Sequence, residues 1–159
     1  MNEKTKRLTQ GAIIAALYVV LTFAANALGL ASGAIQVRFS EALTILPVFT
    51  PAAIPGLFVG CLLSNLLTGA AMWDVIFGSI ATLIGAIGTY YMKKYKYAAC
   101  IPPILANTII VPFILIYAYG VPDALWFLML TVGAGEVISC GILGAILYAI
   151  FAKRRFIFE

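Results

Sequence analysis

The chain has 159 residues, of which 64% are hydrophobic and only 10% are charged, with a net charge of +4. Soluble domains contain about 25% charged residues, so this composition excludes a soluble globular protein and indicates an integral membrane protein. Nine of the ten cationic residues lie in three short clusters, at residues 4–7, 93–96 and 153–155, a pattern that reports membrane topology and argues against nucleic-acid binding.

Apolar segments separated by turn residues and charges predict six transmembrane helices in a single substrate-binding membrane domain, residues 1–159, with an all-α fold. The predicted spans are about 8–28, 36–50, 52–69, 74–92, 98–119 and 124–152. The longer segments reach the roughly 20 apolar residues that a helix needs to cross a bilayer. Because cytoplasmic loops are enriched in lysine and arginine, the cationic clusters predict that both termini lie in the cytoplasm.

The first span carries two adjacent pairs of small residues, Gly11/Ala15 and Ala12/Ala16. Residues four apart lie on one face of a helix, so each pair removes side-chain bulk from a stripe and lets another helix approach closely. The partner in this close approach is predicted to be either another helix of the same bundle or a separate subunit.

The second span contains Arg38 and Glu41 within an otherwise apolar sequence. In a helix, positions three apart share a face, so the two side chains are predicted to satisfy one another or to bind a polar ligand. A charge in a span costs about 2.5–3.5 kcal/mol on insertion scales and usually faces the bundle interior or an aqueous cavity. This segment is therefore predicted to form a wall of a binding site, with a structural clamp between Arg38 and Glu41 as the alternative.

Polar and aromatic residues of the later spans extend this predicted site. Asn65 comes near the end of the third span, and Trp73 with Asp74 opens the fourth. Asp74 is predicted either to cap its helix or to contact a ligand. Trp73, and Tyr117 near the outer end of the fifth span, are predicted either to line the site or to anchor the protein at the membrane interface.

Asn107 and Glu136 lie far from the ends of the fifth and sixth spans. Glu136 comes about 12 residues into its helix, which at 1.5 Å per residue places it about 18 Å along the helix, near the middle of the membrane. It is the deepest predicted charge. These polar residues together predict a cavity that opens outward.

The chain lacks the residue patterns of a metal centre or a nucleophilic enzyme. It contains no histidine, and its three cysteines lie in apolar runs without a CxxC spacing. Neither a metal site nor a disulfide is expected, no serine has a histidine base, and no cofactor is expected. The chain is predicted not to be an enzyme.

Several motifs follow one another in a fixed order along most of the chain. They are Gln36-Val37-Arg38-Phe39-Ser40-Glu41-Ala42-Leu43-Thr44, Leu46-Pro47, Thr50-Pro51-Ala52-Ala53-Ile54-Pro55-Gly56-Leu57, Asn65, Asp74-Val75-Ile76-Phe77-Gly78-Ser79-Ile80-Ala81-Thr82, Pro102-Pro103, Asn107 and Gly135-Glu136. In this combination the chain resembles the QueT-type substrate-binding subunits (S components) of energy-coupling-factor (ECF) transporters, the queuosine precursor transporter family. Val37 and Phe39 stand where Phe and Ile are expected, and Pro112 where a small residue is more usual, which affects the expected shape of the pocket.

The resemblance implies a six-helix S component in the bacterial plasma membrane. Such a subunit binds a queuosine precursor, a 7-deazaguanine base, outside the cell: the aminomethyl form, the cyano form or queuine. It delivers the base by toppling against a transmembrane coupling subunit that is driven by two cytoplasmic ATPases. The chain has no G-x-x-x-x-G-K-[ST] loop, so ATP hydrolysis has to come from these partners. The Ala12/Ala16 stripe resembles the family's docking surface for the coupling subunit.

The chemistry of a guanine-like base fits these side chains. A carboxylate accepts two adjacent N–H groups, and a carboxamide pairs with a carbonyl and a ring nitrogen, which are the roles expected of Glu41 or Glu136 with Asn65 or Asn107. A flat ring stacks on an aromatic face; the candidates for this are Trp73, Tyr117 and Phe39. Asp74 is predicted to pair with an aminomethyl cation, and Arg38 to hold one of the acids. The predicted substrate-binding set is Arg38, Glu41, Asn65, Trp73, Asp74, Asn107, Tyr117 and Glu136.

An alternative function is a self-sufficient secondary transporter or channel for a polar small molecule, with Glu136 in a proton relay. The two hypotheses differ in whether transport depends on partner ATPases.

Overall fold

The computed structural model describes residues 2–32 and 34–158, and within them the regular structure is helical, with no strand. The main elements are α1 (Glu3–Ala27), a 3₁₀ helix (Phe39–Val48), α2 (Ala53–Leu67), α3 (Met72–Tyr91), α4 (Ile101–Tyr117) and α5 (Leu125–Ala152). A 3₁₀ stretch, Lys93–Cys100, leads into α4, and α5 contains a π-helical segment, Val137–Leu143. The all-helical prediction is confirmed.

Four of these helices are long and apolar enough to cross a membrane: Glu3–Ala27, Met72–Tyr91, Lys93–Tyr117 and Leu125–Ala152. The 3₁₀ helix and α2 are also apolar but shorter. The described residues thus contain six apolar helices, close to the predicted boundaries. The number of complete membrane crossings stays a prediction.

The 3₁₀ helix Phe39–Val48 runs through the inside of the bundle, and its residues 40–47 are all buried. A 3₁₀ helix rises about 2.0 Å per residue, against 1.5 Å for an α-helix. Ten residues in this form therefore cover about 20 Å, which lets a short segment reach far through the core. Arg38 precedes the helix in an extended conformation, with φ −113° and ψ 109°.

Helices α1 and α2 approach each other through glycines. A Cβ atom at Gly56 would lie 2.7 Å from the carbonyl oxygen of Gly11, and one at Gly60 would lie 3.1 Å from the Cα of Ala15. The Gly11/Ala15 pair thus packs inside the bundle. Ala12 and Ala16, one position further along the chain, are exposed.

The end of the bundle that carries the C-terminus is closed by aromatic rings. The Phe158 ring stacks on the Phe49 ring with 5.4 Å between their centroids. The Tyr148 ring also lies 5.4 Å from the Phe49 ring, centroid to centroid. Polar residues are instead gathered toward the opposite end, where α1 and α2 finish and α3 begins.

Candidate binding site

A cavity of about 280 Å³ lies between the segment that leads into the 3₁₀ helix and helices α3, α4 and α5. This volume is near the lower limit of small-molecule sites, which suits a ligand of a few rings at most. Its walls combine polar and apolar side chains, and the residues that line it are Ala34, Gln36, Arg38, Glu41, Cys61, Asp74, Gly78, Thr82, Asn107, Val111, Leu115, Val121, Asp123, Phe127, Leu128, Thr131, Val132 and Glu136.

Glu41 is held by two helices that are distant in sequence. Its side chain is only 2% exposed. The Tyr18 hydroxyl of α1 donates a hydrogen bond to Oε1, and the Asn107 amide of α4 donates to Oε2 at 3.3 Å. Both carboxylate oxygens of Glu41 therefore already have a donor from the protein.

Glu136 lies on the last turn of α5 before the π-helical segment and is 8% exposed. The Cys140 thiol donates to its Oε2 at 3.1 Å, whereas no described residue donates to its Oε1. A π-helical turn inside an α-helix is often found at a functional site. Here it follows directly after the carboxylate and carries Cys140.

The oxygen and sulfur atoms of Glu41, Glu136 and Cys140 lie within 4.8 Å of one another, a spacing that would also suit a metal ion. The sequence pattern does not predict this cluster. Metal sites that contain cysteine are usually completed by more cysteine or by histidine, and the chain has no histidine. The thiol also acts as a hydrogen-bond donor here, so we interpret Glu136 and Cys140 as a hydrogen-bonded pair that lies beside the Glu41 carboxylate.

The alternative prediction, a structural clamp between Arg38 and Glu41, is wrong. Among the described residues, the Arg38 guanidinium forms no ion pair and no hydrogen bond; only its backbone N–H is bonded, to Ser139 Oγ at 3.1 Å. The clamp assumed a continuous helix, but Arg38 is extended and the helix begins at Phe39. The guanidinium therefore lines the cavity without a protein partner.

Asp74 lines the cavity from the first turn of α3, where a negative charge also interacts favourably with the helix dipole. The Tyr119 hydroxyl donates to its Oδ2 at 2.8 Å. Asn65 lies behind Asp74 and donates to its backbone carbonyl at 3.3 Å. Asn65 lines a second cavity of about 270 Å³, which shares Arg38 and Asp74 with the first.

Trp73 and Tyr117 lie outside the cavity. Their side chains are 60% and 82% exposed. They border an apolar groove on the outer surface of α3 and α4, where Trp73 stacks on Phe77 at 5.5 Å. Phe39, the third stacking candidate, does not line the cavity either. The structure thus brings together five of the eight predicted binding residues, places Asn65 behind them and leaves the two aromatics outside.

Several apolar wall residues were not predicted from the sequence, among them Phe127, which in the described part of the chain is the one aromatic residue that lines the cavity. A usable signal was helical spacing. Gly78 and Thr82 lie four and eight residues after Asp74, and Val132 and Leu128 lie at the same intervals before Glu136. Positions at this spacing share a helix face.

Two glycines make room for the polar groups. A Cβ atom at Gly78 would lie 2.7 Å from Asp74 Oδ1. At Gly135 it would clash with the carbonyl oxygen of Gln36. The backbone of the segment around Gln36 therefore packs directly on α5, next to Glu136.

The model of the QueT transporter family matches residues 8–153 of the chain. The chain is also similar to the protein named queuosine precursor transporter QueT of Lactococcus lactis subsp. cremoris (strain MG1363), with 35% identity over 96 residues. This match covers 60% of the chain and 56% of the relative, so it spans little more than half the length of that protein. No solved structure matches the chain.

The family match extends over most of the chain, and four described helices are of membrane-spanning length and composition. The chain is therefore a multi-pass protein of the cell membrane, as its composition predicts. The resemblance seen in its motifs is confirmed, and the chain belongs to the QueT transporter family.

Proposed function

We propose that this chain is the substrate-capture subunit of an ECF-type importer and that it binds a queuosine precursor, a 7-deazaguanine base. Family membership and the name of the Lactococcus relative support the choice of substrate. The observation that carries the proposal is the small cavity inside an apolar bundle, lined by four carboxylates, one guanidinium and two carboxamides.

The polar groups of the cavity complement the edge of a guanine-like base. Such an edge presents adjacent N–H donors, which suit carboxylate and amide oxygens, and a carbonyl oxygen, which suits the free guanidinium of Arg38. Phe127 offers the ring an apolar face in the cavity wall. Asp74 is the proposed partner of an aminomethyl cation when the ligand carries one.

The proposed partners are a transmembrane coupling subunit and two cytoplasmic ATPases. Ala12 and Ala16 form an exposed small-residue stripe on α1, flanked by the exposed apolar side chains of Ile13 and Leu17. This surface suits close packing against a helix of another membrane protein. With the termini and the 93–96 cluster in the cytoplasm, the subunit binds the base outside the cell and topples against the coupling subunit to release it.

Binding and uptake measurements test the proposal in two steps. The purified chain in detergent should bind aminomethyl-7-deazaguanine more tightly than adenine, which lacks the guanine donor pair. Equal affinity for the two bases would contradict the proposed substrate.

Uptake of the labelled base into proteoliposomes should then require the coupling subunit, both ATPases and internal ATP, with protein-free vesicles as the control. Uptake by the chain alone would contradict the ECF mechanism and favour the alternative, a self-sufficient secondary transporter or channel.

A further inference from the structure

The two buried glutamates of the cavity differ in which of their oxygens are already bonded. Glu41 receives a hydrogen bond on each oxygen, from Tyr18 and from Asn107. Glu136 receives one on Oε2 from Cys140, and its Oε1 receives none from the described residues. A carboxylate with both oxygens engaged has less capacity for a ligand than one with a free oxygen, so the two residues are not equivalent.

The bond to Glu41 also fixes the orientation of the Asn107 side chain. Its NH₂ group is the donor of this bond, which reaches Glu41 Oε2 at 3.3 Å. The amide oxygen, Oδ1, is then turned away from Glu41. Asn107 is 4% exposed and lines the cavity, and no described residue donates to its Oδ1.

Two acceptors, Glu136 Oε1 and Asn107 Oδ1, are thus left without protein donors at the cavity. Buried acceptors in native proteins are almost always paired. The two side chains are 8% and 4% exposed, but neither oxygen is among the fully enclosed unpaired atoms of the described residues, where Thr108 Oγ1 stands alone. Both oxygens are therefore open to the cavity. The donors for this pair have to come from the contents of the cavity.

We infer that Glu136 and Asn107 read the N–H edge of the ligand, and that Glu41, held by Tyr18, is a positioning residue that orients the Asn107 amide. The inference rests on the proposed function for the identity of the ligand. It defines the edge that the ligand presents: two neighbouring donors toward Glu136 and Asn107.

Replacing Glu41 with glutamine should change selectivity, although the ligand contact that changes is made by Asn107 and not by residue 41. With the Tyr18 hydroxyl still donating to the glutamine oxygen, the new NH₂ group faces Asn107. The Asn107 amide then turns its oxygen toward this donor and its NH₂ group toward the cavity. A donor replaces an acceptor where the ligand presents its own donor, so the variant should lose its preference for bases with an exocyclic amine.

The test measures affinities of the full chain in detergent for 7-deazaguanine and for 7-deazahypoxanthine, which lacks the exocyclic amine. The wild type should prefer 7-deazaguanine. Glu136→Gln should weaken binding of 7-deazaguanine by about 10- to 100-fold, the range for a lost hydrogen bond to a charged group. Glu41→Gln should reduce the ratio of the two affinities toward one, and Glu3→Gln, at an exposed position on α1, serves as the matched control.

Tyr18→Phe provides a second variant, because Glu41→Gln can also lower the yield of folded protein. Without the Tyr18 donor, Glu41 holds Asn107 less firmly, and the affinity ratio should fall in the same direction. A purely structural role for Glu41 and Tyr18 would lower thermal stability and leave the ratio unchanged.

Unchanged affinity in Glu136→Gln, or an unchanged ratio in both Glu41→Gln and Tyr18→Phe, would overturn the inference while the proposed function stands. Failure of the wild type to bind either base would overturn both.

Discussion

Helices α1 and α3 each contain a pair of neighbouring residues of which one lies inside the bundle and the other on its outer surface. On α1, Gly11 packs against α2 while Ala12 is exposed. On α3, Asp74 lines the cavity while Trp73 lies on the outer surface. Successive residues of an α-helix, with 3.6 residues per turn, are rotated by about 100°. A single step along the sequence is therefore enough to separate an internal contact from an external surface.

The exposed stripe of α1 gives the largest expected effect. Ala12→Leu together with Ala16→Leu should nearly abolish uptake by the reconstituted transporter, because bulk on this stripe prevents close helix packing with the coupling subunit. Ligand affinity of the isolated chain should stay unchanged. The measurement pairs an uptake assay with co-purification of the coupling subunit.

The matched control is Ala12→Ser with Ala16→Ser, which keeps both residues small. Normal uptake and co-purification by the leucine variant would mean that the stripe is not a docking surface.

The buried contact of the Gly11/Ala15 pair of α1 with α2 should affect stability. Gly56→Ala places a methyl group 2.7 Å from the Gly11 carbonyl oxygen, and such overpacking costs about 1–3 kcal/mol. Thermal unfolding in detergent should show the loss. Gly141→Ala is the control, since its Cβ would meet no atom closer than 3.8 Å; equal melting temperatures for the two variants would contradict the close contact of α1 and α2.

The inner side of α3 should show a smaller effect. Tyr119→Phe removes the donor to Asp74 Oδ2, which should lower the free energy of unfolding by about 0.5–1.5 kcal/mol for one net hydrogen bond. It also removes the acceptor of the Ala71 N–H group, but that bond is exposed and water can replace it. Tyr117→Phe removes a hydroxyl that has no partner among the described residues, so it should leave stability unchanged. A larger loss in Tyr117→Phe than in Tyr119→Phe would reverse the assignment of the two tyrosines.

Residues on the outer side of α3 should not contribute to ligand affinity. Trp73→Ala should leave the affinity for a deazaguanine base unchanged, because the ring lies outside the cavity. Phe127→Ala, which shortens a side chain in the cavity wall, is the comparison and should weaken binding. Ligand affinity of both variants is measured by titration in detergent. A larger loss of affinity in Trp73→Ala than in Phe127→Ala would show that the ligand binds at the outer groove.

Much of the candidate site could be predicted because charge is rare in this chain. Only six residues are acidic, and a charge or amide inside an apolar helix has to face the bundle interior. This reasoning located Arg38, Glu41, Asn107 and Glu136 in the wall of one cavity. It could not identify Tyr18 as the partner of Glu41, because a tyrosine in an apolar span is not unusual and the two residues are 23 positions apart.

The sequence by itself determined the membrane setting, the helical class and the polar residues that cannot face lipid, since these follow from composition and from spacing along one helix. Only the tertiary structure decided that Arg38 is extended, that Trp73 faces outward and that Glu41 is engaged on both oxygens while Glu136 is not. These outcomes depend on how each helix is rotated against its neighbours, which glycine contacts such as Gly11 with Gly56 set through close approach of the backbones. A periodic pattern defines the faces of a helix, but the packing of the other helices decides what each face meets.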